Sequence, residues 1–283
     1  MELEFKDVCK AVGASLTIGI LFVVFLCLIG VIDGRVIQAT NALTGEKVTR
    51  NALGFRHQNY LGKLVLAAFI AYWFLRFEKL NKYDLLLAVA LFLVLYFVVN
   101  TKTAAFVVLL SLLFTFVLKR KNSIQWRYVL LGAFVLIQIA EVVAVIVYDP
   151  SNEVLKTING LMSTRLSAAH SMLENYAITP FGQDVEIISS IDALEAGISS
   201  ATLDIGIFNI LLINGVFPTA LFVAGWIYLV KASLAEKSAA FFTALIMVLI
   251  AGLFENWCFS LPTCFLLAMI PILIRKRQLG SLA

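Results

Sequence analysis

The chain has 283 residues, 61% of them hydrophobic and only 14% charged, with a mean hydropathy of +0.95. A soluble domain of this length carries about twice that charge, and several continuous apolar runs approach the ~20 residues needed to cross a bilayer core. The pattern specifies an all-α polytopic membrane protein and excludes a β-barrel, whose strands alternate. The net charge of +4 flanks the spans instead of forming a basic surface, which excludes a nucleic-acid partner.

Eight spans are expected within a single membrane domain covering residues 1–283. The first, Ala11–Ile32, is too long and too β-branched for a cleaved leader and has no small-residue cleavage site after it. A first loop, Asp33–Asn59, leads to Tyr60–Phe77, Asp84–Val99, Thr103–Leu118 and Tyr128–Tyr148. A large loop, Asp149–Ile205, separates spans five and six. Gly206–Val230, Ala239–Phe254 and Phe259–Ile274 complete the set. The third, fourth and eighth are short, so tilt, local thinning or a re-entrant path is expected there. No internal repeat supports an inverted-repeat transporter. Cys9, Cys27, Cys258 and Cys264 lie in or beside apolar runs and read as small buried hydrophobes.

Lysine and arginine set the orientation. Lys6, Lys10, Arg76, Lys79, Lys82, Lys119, Arg120, Lys121, Arg127, Lys231, Lys237, Arg275, Lys276 and Arg277 fall at one set of ends, on short segments. The positive-inside rule therefore places both termini in the cytoplasm and both substantial loops outside.

The segment Arg50–Gly62, RNALGFRHQNYLG, gathers polar groups at the mouth of the second span. Two readings fit Arg56: a headgroup anchor, or a ligand for phosphate oxygens through its planar fork. Asn59 reads as the cap of a helix starting at Tyr60. His57 adds a group able to move protons near neutral pH, which anchoring does not need. In Ser163–Asp184, Ser163 or Thr164 caps a short helix with Arg165 in its first turn. A cation there opposes the helix dipole, so Arg165 reads as held for a partner. His170 and Glu174 share a face four residues apart, as an exposed ion pair or as part of a site. Glu141, one turn after Gln138, is a carboxylate within the fifth span and a functional candidate by default. Glu255 and Asn256 end the seventh span, facing the same cavity or simply closing a helix, and Asp204 reads as a cap for the sixth. No metal-ligand spacing or nucleotide-binding glycine loop occurs, so no metal and no cofactor is expected.

Taken together, these segments resemble Wzy-type polysaccharide polymerases, of the O-antigen polymerase and ligase superfamily. Arg50–Gly62 is similar to their "R-x-x-LGF-x-HPN-x-LG" segment, with Gln58 in place of proline. Arg165, Tyr176, Phe181, Gly182 and Gln183 follow the later "R…Y-x-x-x-FGQ" pattern. Thr202–Val216 resembles "LDN-x-Y-L-x-LL-x-x-G", with Ile205 and Ile207 in place of its Asn and Tyr. NTKTAAF (Asn100–Phe106) and Glu255-Asn256 match further family features. The chain is shorter than most relatives, so it is expected to be a compact or an amino-terminally truncated member.

The resemblance implies a GT-C-like, metal-independent glycosyltransferase of the cytoplasmic (inner) membrane. It would polymerise undecaprenyl-pyrophosphate-linked oligosaccharide repeat units on the outer face, beside a flippase and a chain-length regulator. Arg56 and Arg165 would clamp the pyrophosphate. His57 would serve as base, with Glu141 or Glu255 as alternatives, and Arg50, Asn59 and His170 would contact substrate. A ligase of the same class differs only in acceptor. A lipid-linked oligosaccharide flippase would need polar residues through both leaflets.

Overall fold

The computed structural model of the chain describes residues 4–40, 45–120, 124–188, 193, 197, 202–256 and 264–280. Helix dominates. α1 (Phe5–Leu28) starts before the expected Ala11 and stops short of Ile32, because Gly30, at φ 75°, turns the chain. The first loop then forms a hairpin, β1 (Val36–Thr40) against β2 (Lys47–Asn51), antiparallel with Val36 opposite Asn51.

α2 (Gln58–Arg76) begins at His57, whose Nδ1 accepts the Asn59 N–H at 3.1 Å. The cap is therefore His57 and not Asn59, which leaves the Asn59 side chain available for a long-range bond. α3 (Lys82–Leu93), capped by Asn81, widens into a π turn over Val94–Val99 and ends at Asn100, which is left-handed at φ 59°. π turns of this kind re-aim the chain and recur at functional sites. Here the turn delivers α4 (Lys102–Arg120). α5 (Ile124–Ile146) leads into the second loop, which holds α6 (Glu153–Leu161) and α7 (Arg165–Asn175).

The expected sixth span is two helices, α8 (Gly206–Asn214) and α9 (Val216–Ala235), broken at Gly215. At the break, the second loop inserts its own backbone. Val216 N–H donates to the Thr179 carbonyl and Phe217 N–H to Pro180, both at 3.0 Å, while Gln183 N–H donates to Ile213 at 3.1 Å. A break inside an apolar helix is tolerated when the freed groups find partners in this way. α10 (Ala239–Phe254) and α11 (Met269–Gly280), the latter after a 3-10 turn over Cys264–Ala268, complete the described chain. The expected span Phe259–Ile274 begins outside the described residues.

Among the described residues six helices are long and apolar enough to cross a membrane: Phe5–Leu28, Gln58–Lys79, Lys82–Val99, Lys102–Lys119, Gln125–Ile146 and Val216–Ala235. α10 has 16 residues, about 24 Å at 1.5 Å per residue, short of the ~30 Å hydrocarbon core. Every residue from Ala239 to Val248 is buried, and α2, α4, α5, α8 and α9 pack around it. A helix apolar on all sides belongs in the centre of a bundle, and α10 occupies that place. By contrast α1 leaves Ile18, Leu21, Phe22 and Phe25 more than half exposed, as a lipid-facing surface does.

The bundle has two different ends. At one, Asp84 is held by Arg76 (Nη2 to Oδ2, 3.1 Å) and by the Tyr72 hydroxyl, and buried Arg127 donates to the Lys237 carbonyl at 2.9 Å. At the other end lie the hairpin and the long second loop. That loop has its own apolar core, in which Leu166, Ala169 and Met172 of α7 meet Val145 of α5 and Leu203, Ile205, Phe208 and Leu212 around α8. This core fixes α7, and with it Arg165, on the bundle.

Candidate functional site

Several elements converge at the loop end, each bringing one polar side chain. Glu255, the residue after α10, is 4% exposed. Its Oε1 accepts from Arg165 Nη2 at 2.8 Å, Asn59 Nδ2 at 3.4 Å and Thr103 Oγ1 at 3.5 Å. These donors sit in the first turns of α7, α2 and α4, where three helix N-termini direct positive potential at one carboxylate. Arg165 also places Nε 3.5 Å from Asp204 Oδ2 and donates from Nη1 to the Met162 carbonyl at 3.2 Å. One turn into α2, Lys63 donates to Asn256 Oδ1 at 3.4 Å, and Asn256 Nδ2 donates to the Leu203 carbonyl at 3.3 Å.

Arg50, on β2, joins this group. It is half-buried, and burial together with the like charge of Arg165 lowers its pKa, while Glu255 opposes that shift. Burial pushes the Glu255 carboxyl above the usual carboxylate range, with Arg165 pulling the other way and Asp204 adding to the rise. Glu141 on α5 is 7% exposed, both of its oxygens lack a hydrogen-bond partner among the described residues, and the Arg165 charge reaches it. Gln58 is fully buried, and its amide oxygen and nitrogen likewise lack partners among the described residues. Buried polar groups are normally satisfied; Gln58, Glu141 and Arg50 Nε, the last also buried without a bond among the described residues, are exceptions.

Arg165, Arg50, Asn59 and Glu255 are thus brought together, with Glu141 in reach. Arg56 is exposed, one residue before the cap. His57 is half-buried at the rim; burial, then Arg50, depresses its pKa to about 4 against an ordinary 6.5, with Asp204 opposing and Lys63 adding. Its Nδ1 is occupied as an acceptor, so at neutral pH the ring is neutral, with Nε2–H available to donate, and is a weak base. His170 is engaged elsewhere. Its Nδ1 lies 2.8 Å from the Val145 carbonyl, its Nε2 3.7 Å from Glu174, and its ring packs on Tyr148, so it docks α7 on α5. Asp204 does not cap α8, whose N-cap is Ile205 with no side-chain bond; it pairs with Arg165 instead. Thr103 and Lys63 are not marked as site residues by the sequence, although Thr103 lies within the polar NTKTAAF break and Lys63 is a basic residue of the loop end. Among the described residues no group of three or more His, Cys, Asp or Glu side chains is placed to hold a metal ion.

The depressed His57 value gives a pH prediction. A neutral buried histidine contributes stability that is complete above its unfolded pKa and is lost as pH falls toward its folded one. His57→Asn keeps an acceptor for the Asn59 N–H and removes the titration. Its unfolding midpoint in detergent should therefore lose the wild-type decline between pH 6.5 and about 4. An unchanged decline would assign it to other groups.

An apolar groove of about 1000 Å3 runs between α5 and α9. Leu131, Phe134, Val135, Ile139 and Val143 line one side, and Phe222, Val223, Trp226, Ile227 and Val230 the other. It reaches Val142, Ile207 and Gly252 at the loop end, close in sequence to Glu141, Asp204 and Glu255, and Tyr128, Lys231 and Lys237 at the far end. The chain matches no family model, no curated protein and no solved structure.

Proposed function

We propose that the chain is a metal-independent membrane glycosyltransferase that polymerises polyprenyl-pyrophosphate-linked oligosaccharide repeat units into a surface polysaccharide. This is the reaction implied by the resemblance of its motifs to Wzy-type polymerases. The observation that carries it is a half-buried, carboxylate-paired arginine at the end of the bundle where a long apolar groove reaches Val142, Ile207 and Gly252. A polyprenyl diphosphate has that shape: an apolar chain for the groove and a compact dianionic group for Arg165 and Arg50. The orientation read from the basic residues puts this end on the outer face of the cytoplasmic membrane, with both termini inside. A GT-C-like arrangement accords with that placement.

In this reading Arg165 exchanges partners. At rest it is held by Glu255 and Asp204; the incoming diphosphate competes for the fork. Glu255, relieved of its ion pair and with a raised pKa, then accepts a proton from the attacking sugar hydroxyl. The hydroxyl oxygen forms the new bond to the anomeric carbon, the carbon–oxygen bond to diphosphate breaks, and diphosphate leaves with the electron pair. Arginines stabilise the leaving charge, the term with most leverage in such transfers. Glu141, without a hydrogen-bond partner among the described residues, is the alternative base. A ligase would use the same donor machinery with another acceptor. A flippase reading has less support, since between its ends the groove offers mostly apolar side chains.

The test is the size of glycan on the polyprenyl carrier in cells lacking the protein. Accumulated single repeat units support polymerisation. Long lipid-linked polymer assigns the chain to the ligases, and an unchanged profile removes both. The groove supplies a second prediction. Ile139→Trp, on the lipid-facing side of α5 and lining the groove, should slow transfer from long-chain donors several-fold and leave a short-chain analogue unaffected. Equal rates for the variant and the wild type on both donors would place the lipid elsewhere.

A further inference from the structure

α6 presents Val154, Ile158 and Leu161 at 68%, 37% and 67% exposure. Spacings of four and three place them on one face of the helix. The opposite face is pinned. Asn159 is 8% exposed and donates to the Tyr148 hydroxyl and to Ser167 Oγ, both at 3.1 Å, while its side-chain oxygen accepts the Ser167 N–H at 3.0 Å. Glu153 and Lys156 pair at 3.3 Å on an exposed polar flank. Asn152 caps the helix, accepting from Val154 N–H at 3.0 Å and Leu155 N–H at 3.2 Å. The element is thus a built helix with an apolar stripe that nothing described covers.

What covers it follows from where it is tied. Asn159 holds α6 to Tyr148, just beyond the end of the apolar span Gln125–Ile146. Tyrosine at a span end sits at headgroup depth, so a helix bonded to it lies at that depth too. The lipid-facing side of α5 continues through Val143, Ile146 and Val147, each 50–56% exposed, toward the stripe. An amphipathic helix at this level buries its apolar face in the boundary between headgroups and acyl chains.

We propose that α6 lies in the membrane interface, with Val154, Ile158 and Leu161 in contact with lipid. The consequence reaches the site. α6 passes to α7 through Ser163 and Thr164, at φ 55° and 66°, and the next residue is Arg165. Two left-handed non-glycine residues persist only where the chain is fixed on both sides. The bilayer on one side and the second apolar core on the other provide that fixing. The inference does not depend on the glycosyltransferase reading.

The experiment uses the full chain in phosphatidylethanolamine–phosphatidylglycerol vesicles. Nitroxide labels go on single cysteines at Val154→Cys, Ile158→Cys, Leu161→Cys, Glu153→Cys and Lys156→Cys, in a background without the four native cysteines. The ratio of oxygen to nickel-chelate accessibility should be several-fold higher at the three stripe positions than at the two flank positions. Equal, nickel-accessible values at all five would put the helix in water and overturn the proposal. Stripe positions closed to both probes would mean a protein surface covers them, and would overturn it equally. Should the cysteine-free background fail to fold, Val154→Trp and Ile158→Trp in the native background give the same reading through added quenching by brominated lipids. No added quenching overturns it.

Discussion

Arg165→Ala should abolish chain growth, lowering transfer by at least ~10²-fold, the scale for removing one preorganised donor at a developing anion. The variant should also be less stable, because Glu255 is 4% exposed and loses its principal partner. Removing one member of a buried pair costs about 3–5 kcal/mol when the other stays charged. Here the loss is limited by protonation, since burial already raises the Glu255 pKa. The sign follows: a carboxyl with a raised folded pKa favours folding at low pH and opposes it as pH rises. The Arg165→Ala penalty should therefore grow from mildly acidic to alkaline pH. Adding Glu255→Gln should restore most of the stability and none of the transfer, and that separation is the point of the double variant. Arg165→Lys keeps the charge without the fork and should recover stability ahead of activity. Transfer assays on purified protein and unfolding midpoints in detergent read both quantities. Normal polymer from the double variant would remove Arg165 from any clamp.

The spans were legible because apolar runs are long and interrupted by charge: among the described residues, four of the six helices of spanning length coincide with them to within three residues, and α1 is shifted by four to six. The sixth run misled for a physical reason. From Gly206 to Val230 it reads as continuous membrane helix, and its break is stabilised by backbone groups of Thr179–Gln183, distant in sequence. The Asn214-Gly215 pair is the local trace of it, a turn dipeptide set in apolar surroundings. The site was legible as a set of helix-end polar residues but not as pairings. Asp204 reads as a cap because capping is local, whereas its contact with Arg165 crosses the loop. Arg56 and Arg50 look alike in sequence; the hairpin, too short to announce itself by alternation, is what turns Arg50 inward. The cap at His57 lies two residues from the expected Asn59, and that offset is what frees the Asn59 amide for Glu255.

The crossing of Gly182 and Gly215 predicts the second large effect. At the break the two segments touch backbone to backbone. A Cβ on Gly182 would lie 2.2 Å from the Ile213 carbonyl oxygen, and one on Gly215 would lie 2.2 Å from the Gly182 nitrogen. Both residues have positive φ, 91° and 87°, so alanine is strained there even before the clash. No side chain can move aside, because the obstacles are main chain. Either substitution must separate the segments and release the three hydrogen bonds that satisfy the broken helix. At about 1–3 kcal/mol for each buried group left unsatisfied, Gly182→Ala and Gly215→Ala should each destabilise the protein by at least ~3 kcal/mol. Activity should fall as well, since releasing the break shifts α8 and the segment carrying Asp204 away from Arg165. Gly132→Ala is the control: it lies within α5, and its Cβ would meet nothing within 4 Å. That variant should be neutral or more stable by about 0.5–1 kcal/mol, as helix propensity dictates. Unfolding midpoints for the three alanines decide the matter. If Gly215→Ala unfolds no earlier than Gly132→Ala, the two segments do not cross, and α8 and α9 form the single span that their apolar sequence suggests.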